Sequence, residues 1–161
     1  MRFYENMETV MKYYTSYGAF LTVSDGETVN TMTVSWGHLG LMWDKPCWMV
    51  MVRPQRYTFG IIEKADDFTL SLPFGGLREE LTVCGTKSGR DIDKSRVVEF
   101  APSAMVKSPV VKGCDIYYEC RIIYRDGFKA DNMSAETAKK IYGKNDFHNI
   151  YFGEIVKQYG I

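Results

Sequence analysis

The sequence predicts a mainly β protein: a mostly antiparallel barrel carrying short peripheral helices. Three observations carry that class. Six or more short runs have strand character and are bounded by turn residues. They do not alternate regularly with long helices, as a doubly wound parallel sheet would require. Residues 47–52 (CWMVMV) form a short, continuous apolar run. That is the pattern of a strand buried on both faces, and it suits a closed barrel better than a one-sided sheet. With 161 residues, no internal repeat and no low-complexity linker, the chain reads as one domain over 1–161.

The elements follow in order. Residues 20–24 (FLTVS) are apolar and β-branched, and Asp25-Gly26 closes them with a two-residue turn signal. From 28 to 36 the chain alternates, with Met32, Val34 and Trp36 on one face and Thr31, Thr33 and Ser35 on the other. The two runs predict a hairpin with a half-buried second strand. A polar, glycine-containing loop follows, then the strand at 47–52. Pro54 ends that strand because it cannot donate to a ladder. Thr58 reads as the N-cap of a short helix from 59 to about 64. Residues 68–72 (FTLSL) alternate and stop at Pro73.

Leu77, Leu81 and Cys84 recur at helical spacing, so a second helix is expected to end near Gly85, with another helix start at Asp91. Residues 101–113, with Pro102 and Pro109, read as a loop holding one extended piece. The clearest strand is 114–125, with Ile116, Tyr118, Cys120, Ile122 and Tyr124 opposite Asp115, Glu119, Arg121 and Arg125. Asp126-Gly127 is expected to turn it, with 128–130 beginning the returning partner. Ser134 caps a short helix that Gly143 terminates, and 150–156 (IYFGEIV) is the last strand.

Composition narrows the function. Twenty basic residues balance twenty acidic ones, which argues against a nucleic-acid binder with its basic excess. No apolar run approaches the ~20 residues that span a bilayer, and the N-terminal stretch has no apolar core of a signal peptide. Cys47, Cys84, Cys114 and Cys120 are scattered and histidines are only His38 and His148, a poor set for structural zinc. Buried free thiols in a reducing, cytoplasmic compartment fit better. There is no GxSxG, HExxH, P-loop or GxGxxG. Cys47 or Cys84 paired with His148 as a nucleophile is disfavoured, Cys47 because it lies in an apolar strand.

Three polar clusters remain. In RPQRYT, Arg53 and Arg56 flank a proline turn ahead of Thr58 at a helix start, a plausible phosphate cradle. The same residues read equally well as solvated charges beside an ordinary cap. In NTMTVSW, Asn30, Thr31, Thr33 and Ser35 supply polar groups along one edge, and Trp36 or Trp43 could stack on a planar ring. Taken alone, a threonine-rich strand is more commonly just a half-solvated strand. In TKSGRDIDKS, a Ser88-Gly89-Arg90 turn and Lys94 could add phosphate contacts, or form a capped helix start with a surface charge network.

Together these stretches, with FTLSLP, CGTKSGRDIDKS and the terminal HNIYFGEIV, resemble the flavin reductase-like, FMN-binding split-barrel family, nearest its flavoredoxin branch. The resemblance spans about residues 17–156. It implies a six-stranded antiparallel split β-barrel of Greek-key type, a homodimer, and FMN rather than FAD as cofactor. Met32, Thr33, Val34, Ser35 and Trp36 would then face the isoalloxazine, with Asn30 a further cofactor contact. Arg53, Arg56, Tyr57 and Thr58 would take the phosphate and ribityl chain. Ser88, Gly89, Arg90 and Lys94 would close over the cofactor, with His148 and Tyr151 in the closing motif. The implied chemistry is the flavin's own: hydride in from NAD(P)H, electrons out to a small acceptor or a redox protein. A carrier without its own nicotinamide site, or a non-catalytic flavin-binding barrel, are the rival readings.

Overall fold

A computed structural model of the protein describes residues 3–160; Met1, Arg2 and Ile161 of the expected 1–161 domain lie outside them. The chain opens with a helix, α1 (Met7–Tyr17), followed by the hairpin β1 (Ala19–Ser24) and β2 (Val29–Val34). A second hairpin, β3 (Gly37–Met42) and β4 (Lys45–Val52), leads to the short α2 (Tyr57–Ile62). Then come β5 (Asp67–Leu72), α3 (Arg78–Thr86), a 3-10 turn at Lys94–Arg96, and a ribbon of β6 (Phe100–Ala101) and β7 (Val110–Val111). The two long strands β8 (Ile116–Gly127) and β9 (Asn149–Gly160) flank a second 3-10 turn, Ala130–Asn132, and α4 (Ala135–Tyr142).

The main sheet has seven strands in the order β2-β1-β5-β8-β9-β4-β3, every pairing antiparallel. Its two edges, β2 and β3, are separated in sequence only by Ser35 and Trp36. So short a link forces the edges together, and the sheet curls into a barrel split along that seam. The class is the expected one, with one strand more than the six implied. The extra strand is β3, in residues read from sequence as a loop. Its turn is Trp43-Asp44, both left-handed at φ 52° and 59°, the geometry of a two-residue hairpin without the usual Asn-Gly or Asp-Gly signature. Gly37 sits inside the strand because a Cβ there would overlap the Met49 carbonyl oxygen and lie 2.6 Å from the Tyr14 hydroxyl.

The barrel interior is filled chiefly from β1, β4, β5, β8 and β9. Leu21, Val23, Trp48, Val50, Val52, Leu70, Leu72, Ile116, Tyr118 and Tyr151 are fully or almost fully buried. From α1, Tyr14 packs its ring 4.9 Å from that of Trp48. On β4 Trp48, Val50 and Val52 are fully buried, and on the opposite face Cys47 is buried while Met49 and Met51 are half-buried. The continuous apolar run therefore serves one interior and leaves its two methionines partly outside. The reverse holds on β2: α2 and α3 cover it, so Asn30 and Thr31 are buried and the expected half-solvated face does not exist. Trp36, expected in line with Met32 and Val34, lies beyond the strand end and is 51% exposed.

Several boundaries shift for local reasons. The Asp25-Gly26 turn is a four-residue loop, because Asp25 Oδ1 accepts the backbone N–H groups of Glu27 and Thr28. Thr58 is not the cap of α2: Arg56 holds that position by its extended backbone, and Thr58 turns inward. Helix α3 passes through Gly85 to Thr86. The start expected at Asp91 is the 3-10 turn capped by Asp93, which accepts from Ser95 N. Asp126 and Gly127 continue β8 opposite Ile150 and Asn149, so β9 is the returning partner and residues 128–130 are not. Register shifts between Glu119/Cys120 and Ile122/Tyr124 break the alternation expected of β8. They bury Glu119, whose carboxylate accepts the N–H groups of Ala104 and Met105, and leave Tyr124 outside. Ser134 does cap α4, accepting from Thr137 N.

Cys47, Cys84, Cys114 and Cys120 are free thiols. No described helix is long and apolar enough to cross a membrane.

Candidate functional site

The seam of the barrel carries the site. Against β2, the start of α2, and the loop after α3 lies a cavity of about 220 Å³, lined by Asn30, Met32, Arg56, Tyr57, Thr58, Ser88, Gly89, Arg90 and Lys94. Beside it a second cavity of about 290 Å³ is lined by Met32, Thr33, Val34, Ser35, Trp36, Arg53, Arg56 and His148. Met32 and Arg56 line both, so the two form one groove. All fifteen residues singled out as cofactor contacts from sequence border it. Tyr151 does not: it is buried, its hydroxyl donating to Glu63 Oε1 at 2.6 Å.

The first end is built from backbone turns and cations. Ser88 Oγ accepts Arg90 N at 3.1 Å, and Ser88 O accepts the N–H groups of Asp91 and Ile92. Arg90 donates from Nη1 to Gln55 O at 3.1 Å, its guanidinium 5.4 Å from the Tyr57 ring centroid. The loop is pressed against the strand: a Cβ on Gly89 would overlap Asn30 Oδ1 and stand 3.0 Å from Tyr57 Cε1. Asn30 Nδ2 in turn donates to Thr58 Oγ1 at 2.8 Å. Gly89→Ala is therefore expected to push Tyr57 or the loop aside at a cost of about 1–3 kcal/mol, read as a lower midpoint in thermal unfolding.

Lys94 is the unusual cation. Only 5% exposed, it donates from Nζ to Thr31 O at 2.7 Å and to Cys84 O at 2.8 Å. Burial pulls its pKa below the usual lysine value, the nearby Arg56 adds to this, and only the Cys84 thiol opposes. Among the described residues no carboxylate pairs with it. A buried ammonium without a counterion beside a cavity is a standing demand for an anion. Arg56 adds a second, exposed cation with one long bond, Nη1 to Gly85 O at 3.4 Å. Helix α2 has six residues, so its dipole adds little and the side-chain cations carry the charge.

Arg53 departs from its expected role. Its Nη1 pairs with Asp146 and donates to Asp146 O at 3.1 Å, its Nη2 to Ile141 O at 3.4 Å, and it stacks 5.3 Å from the Tyr142 ring centroid. It ties down the segment after α4 at the second end of the groove, and Arg56 alone of the pair faces the first. Thr33 is likewise engaged, donating from Oγ1 to Leu81 O at 2.6 Å.

The second end is aromatic, with the Arg53 charge there paired with Asp146. Trp36 is held by its carbonyl, which accepts the Tyr14 hydroxyl at 2.8 Å, and its ring lies 5.7 Å from that of His148. His148 is 7% exposed, and its Nδ1 shares a 2.8 Å hydrogen bond with the Tyr142 hydroxyl. Burial, then the Arg53 charge, pushes its pKa down to about 4, so the imidazole is neutral at physiological pH. Groove residues not foreseen are Met51, Gln55, Cys84, Thr86, Lys87 and Asp91. Five of them, Met51 included, sit one or two positions from a residue that was foreseen, and Cys84 lies four positions from Ser88 on α3. Met51 required knowing that β4 turns one face outward.

The family model of the flavin reductase like domain matches residues 11–159. An uncharacterized protein of Archaeoglobus fulgidus is 28% identical over 116 residues, 71% of this chain and 65% of that one. The chain thus spans just under two thirds of that curated relative. Among solved structures the fold is similar to that of flavoredoxin from Methanosarcina acetivorans, with TM-score 0.73 and 22% identity over 89% of this chain and 68% of that one. It is also similar to an FMN-binding protein from Thermus thermophilus with bound 1-cyclohex-2-enone, with TM-score 0.70 and 26% identity over 92% of this chain and 74% of that one.

Proposed function

The chain belongs to the flavin reductase-like family, and on that premise we propose that it is an FMN-binding oxidoreductase passing electrons from NAD(P)H to a small acceptor or redox protein. The observation that carries the reading is the placing of charge in the groove: Arg56 and Lys94, with no carboxylate partner among the described residues, line one end, while at the other Arg53 is paired with Asp146 beside Trp36, Met51 and a neutral His148. A flat ring bearing a phosphate on a polar chain fits that donor set. Arg56, Lys94 and the loop 88–90 would hold the phosphate. Asn30, Tyr57 and Thr58 would meet the ribityl chain, and Met32 to Trp36 with Met51 and His148 would border the ring.

Bound flavin would supply the redox chemistry, accepting a hydride and releasing electrons singly or in pairs. The protein's part is to position. Tyr14 fixes Trp36 through its carbonyl, Tyr142 fixes His148, and Arg53 anchors the segment that carries Tyr142 and Asp146. The neutral state of His148 keeps a second positive charge away from the ring beside Arg53. Leu41 and Trp43, each 64% exposed at the β3–β4 hairpin, support the homodimer reading, since apolar groups so placed suit a second copy. The free thiols suit a reducing compartment such as the cytoplasm.

The test is spectroscopic. Purified protein reconstituted with FMN should show flavin absorption and a rise in melting temperature of about 5–10 °C at roughly a hundred-fold excess over Kd. Anaerobic NAD(P)H should bleach it. Neither absorption nor a thermal shift would sink the proposal. Flavin binding without bleaching by NAD(P)H, restored by a partner reductase, would replace it with the electron-carrier reading.

A further inference from the structure

Past Trp36 and Met51 the groove continues into a recess of about 430 Å³, walled by Phe128, Met133 and Ile141 from the segment between β8 and β9. Trp36 and Met51 line both spaces. The volume is that of a site for a small organic molecule, and such sites are concave, mostly apolar and edged by a few polar groups. The polar side chains here are Lys129, Asn132, Thr137 and Tyr142, whose hydroxyl is already bonded to His148. Arg53, the nearest guanidinium, is spent on Asp146 and Ile141 O, and His148 is neutral.

We propose that this recess binds the uncharged ring of the electron acceptor, a one- or two-ring conjugated cyclic carbonyl compound of the quinone class. Its binding of such a ring rests on the recess alone; the acceptor role rests on the flavin reading above. Three features select this occupant. The aromatic Trp36 and Phe128 and the adaptable thioethers of Met51 and Met133 favour a flat apolar body. A dinucleotide's pyrophosphate would find only Lys129, whereas the cations cluster at the far end of the groove. Lys129 and Asn132 can donate to a carbonyl oxygen without requiring a charge. The recess opens where the flavin ring would border Trp36, so an occupant lies beside the ring and not over the phosphate.

The probe is a dimethyl-naphthoquinone whose ring positions are blocked against thiol addition. It is titrated into FMN-loaded and FMN-free protein while the methyl resonances of Met51 and Met133 are followed by NMR. The expected result is a saturable shift of both methyls. Ile141→Lys should weaken quinone binding about ten-fold or more, with Ile141→Val close to wild type and FMN affinity unchanged within about two-fold. Met133→Glu, from the opposite wall, should act like Ile141→Lys. Equal quinone binding by wild type and both charged variants would overturn the proposal. So would a parallel loss of FMN affinity, which would make the recess part of the flavin seat. A Met133 methyl that ignores the probe while Ile141→Lys converts a dimer to monomers in light scattering would also overturn it, assigning the recess to a second copy. Quinone binding that persists in a protein unable to bind FMN would support the recess and sink the flavin reading instead.

Discussion

Arg56→Ala is expected to weaken FMN binding roughly 10- to 100-fold while leaving riboflavin binding within about two-fold. A hydrogen bond to a charged group contributes about 1.5–3 kcal/mol, and each 1.4 kcal/mol is a factor of ten in affinity. Arg56 faces the first cavity with a single long bond to Gly85 O, so most of its donors are free to take phosphate oxygens. Its cap of α2 involves no side-chain hydrogen bond, so truncation should spare the fold. Calorimetric titration with FMN and riboflavin at low and high salt separates the outcomes, because an exposed ion pair weakens with ionic strength. Equal losses for the two ligands would mean that Arg56 touches the ring or the ribityl chain, and the polarity assigned to the groove would be reversed. Arg53→Ala is the useful contrast. Its guanidinium is engaged with Asp146, Ile141 O and the Tyr142 ring, so its loss should loosen the chain after α4 before it touches phosphate affinity.

The contrast between these arginines marks how far the sequence could be read. Residue types and spacing in RPQRYT identify a cationic turn, and the turn does border the groove. Which arginine faces a ligand depends on Asp146, ninety-three positions from Arg53 along the chain, and no local pattern carries that. Thr58 is similar: the residue borders the groove, but its partner is Asn30 on β2, so it packs inward instead of capping. Lys94 read either as a phosphate contact or as part of a surface charge network. Its meaning comes from burial under α3 and from the two backbone carbonyls it donates to. Strands were legible where alternation or β-branched runs marked them, as in β1, β5 and β8. Strand β3 was lost where its turn departed from the glycine signature at Trp43-Asp44, and in β8 the facing, not the strand, was misread where a register shift broke the alternation at Glu119. Helix α1 carries no marked cap side chain, Asn6 making no capping bond, and it is held by burying Val10 and Tyr14 and not by a local signal.

The second large effect is a pH dependence that His148 imposes on the ligand-free protein. Unfolding free energy is expected to fall by about 2–3 kcal/mol as pH drops from about 6.5 to about 4. His148 titrates near 6.5 when unfolded and about 4 when folded, because burial and then the Arg53 charge oppose a second proton. Between those values the unfolded chain binds more protons than the native one, so stability rises with pH across the window and is fully present above it. The counter-effect of Asp146, which favours the protonated ring, is already part of the balance. Asp25, Asp93, Asp126 and Asp146 are held below the usual aspartate value. Their contribution is present above that value and disappears at pH values under the histidine window. His148→Gln keeps a hydrogen-bonding side chain for Tyr142 without a titrating proton, and should flatten the curve between 6.5 and 4 while leaving the lower limb intact. Urea unfolding at half-unit pH steps measures both. An unchanged slope in the variant would show that the imidazole is not the group being titrated, and the neutral ring end of the groove would lose its basis. A flattened slope would mean that the protein fixes the charge state beside Trp36 through folding itself, before any ligand arrives.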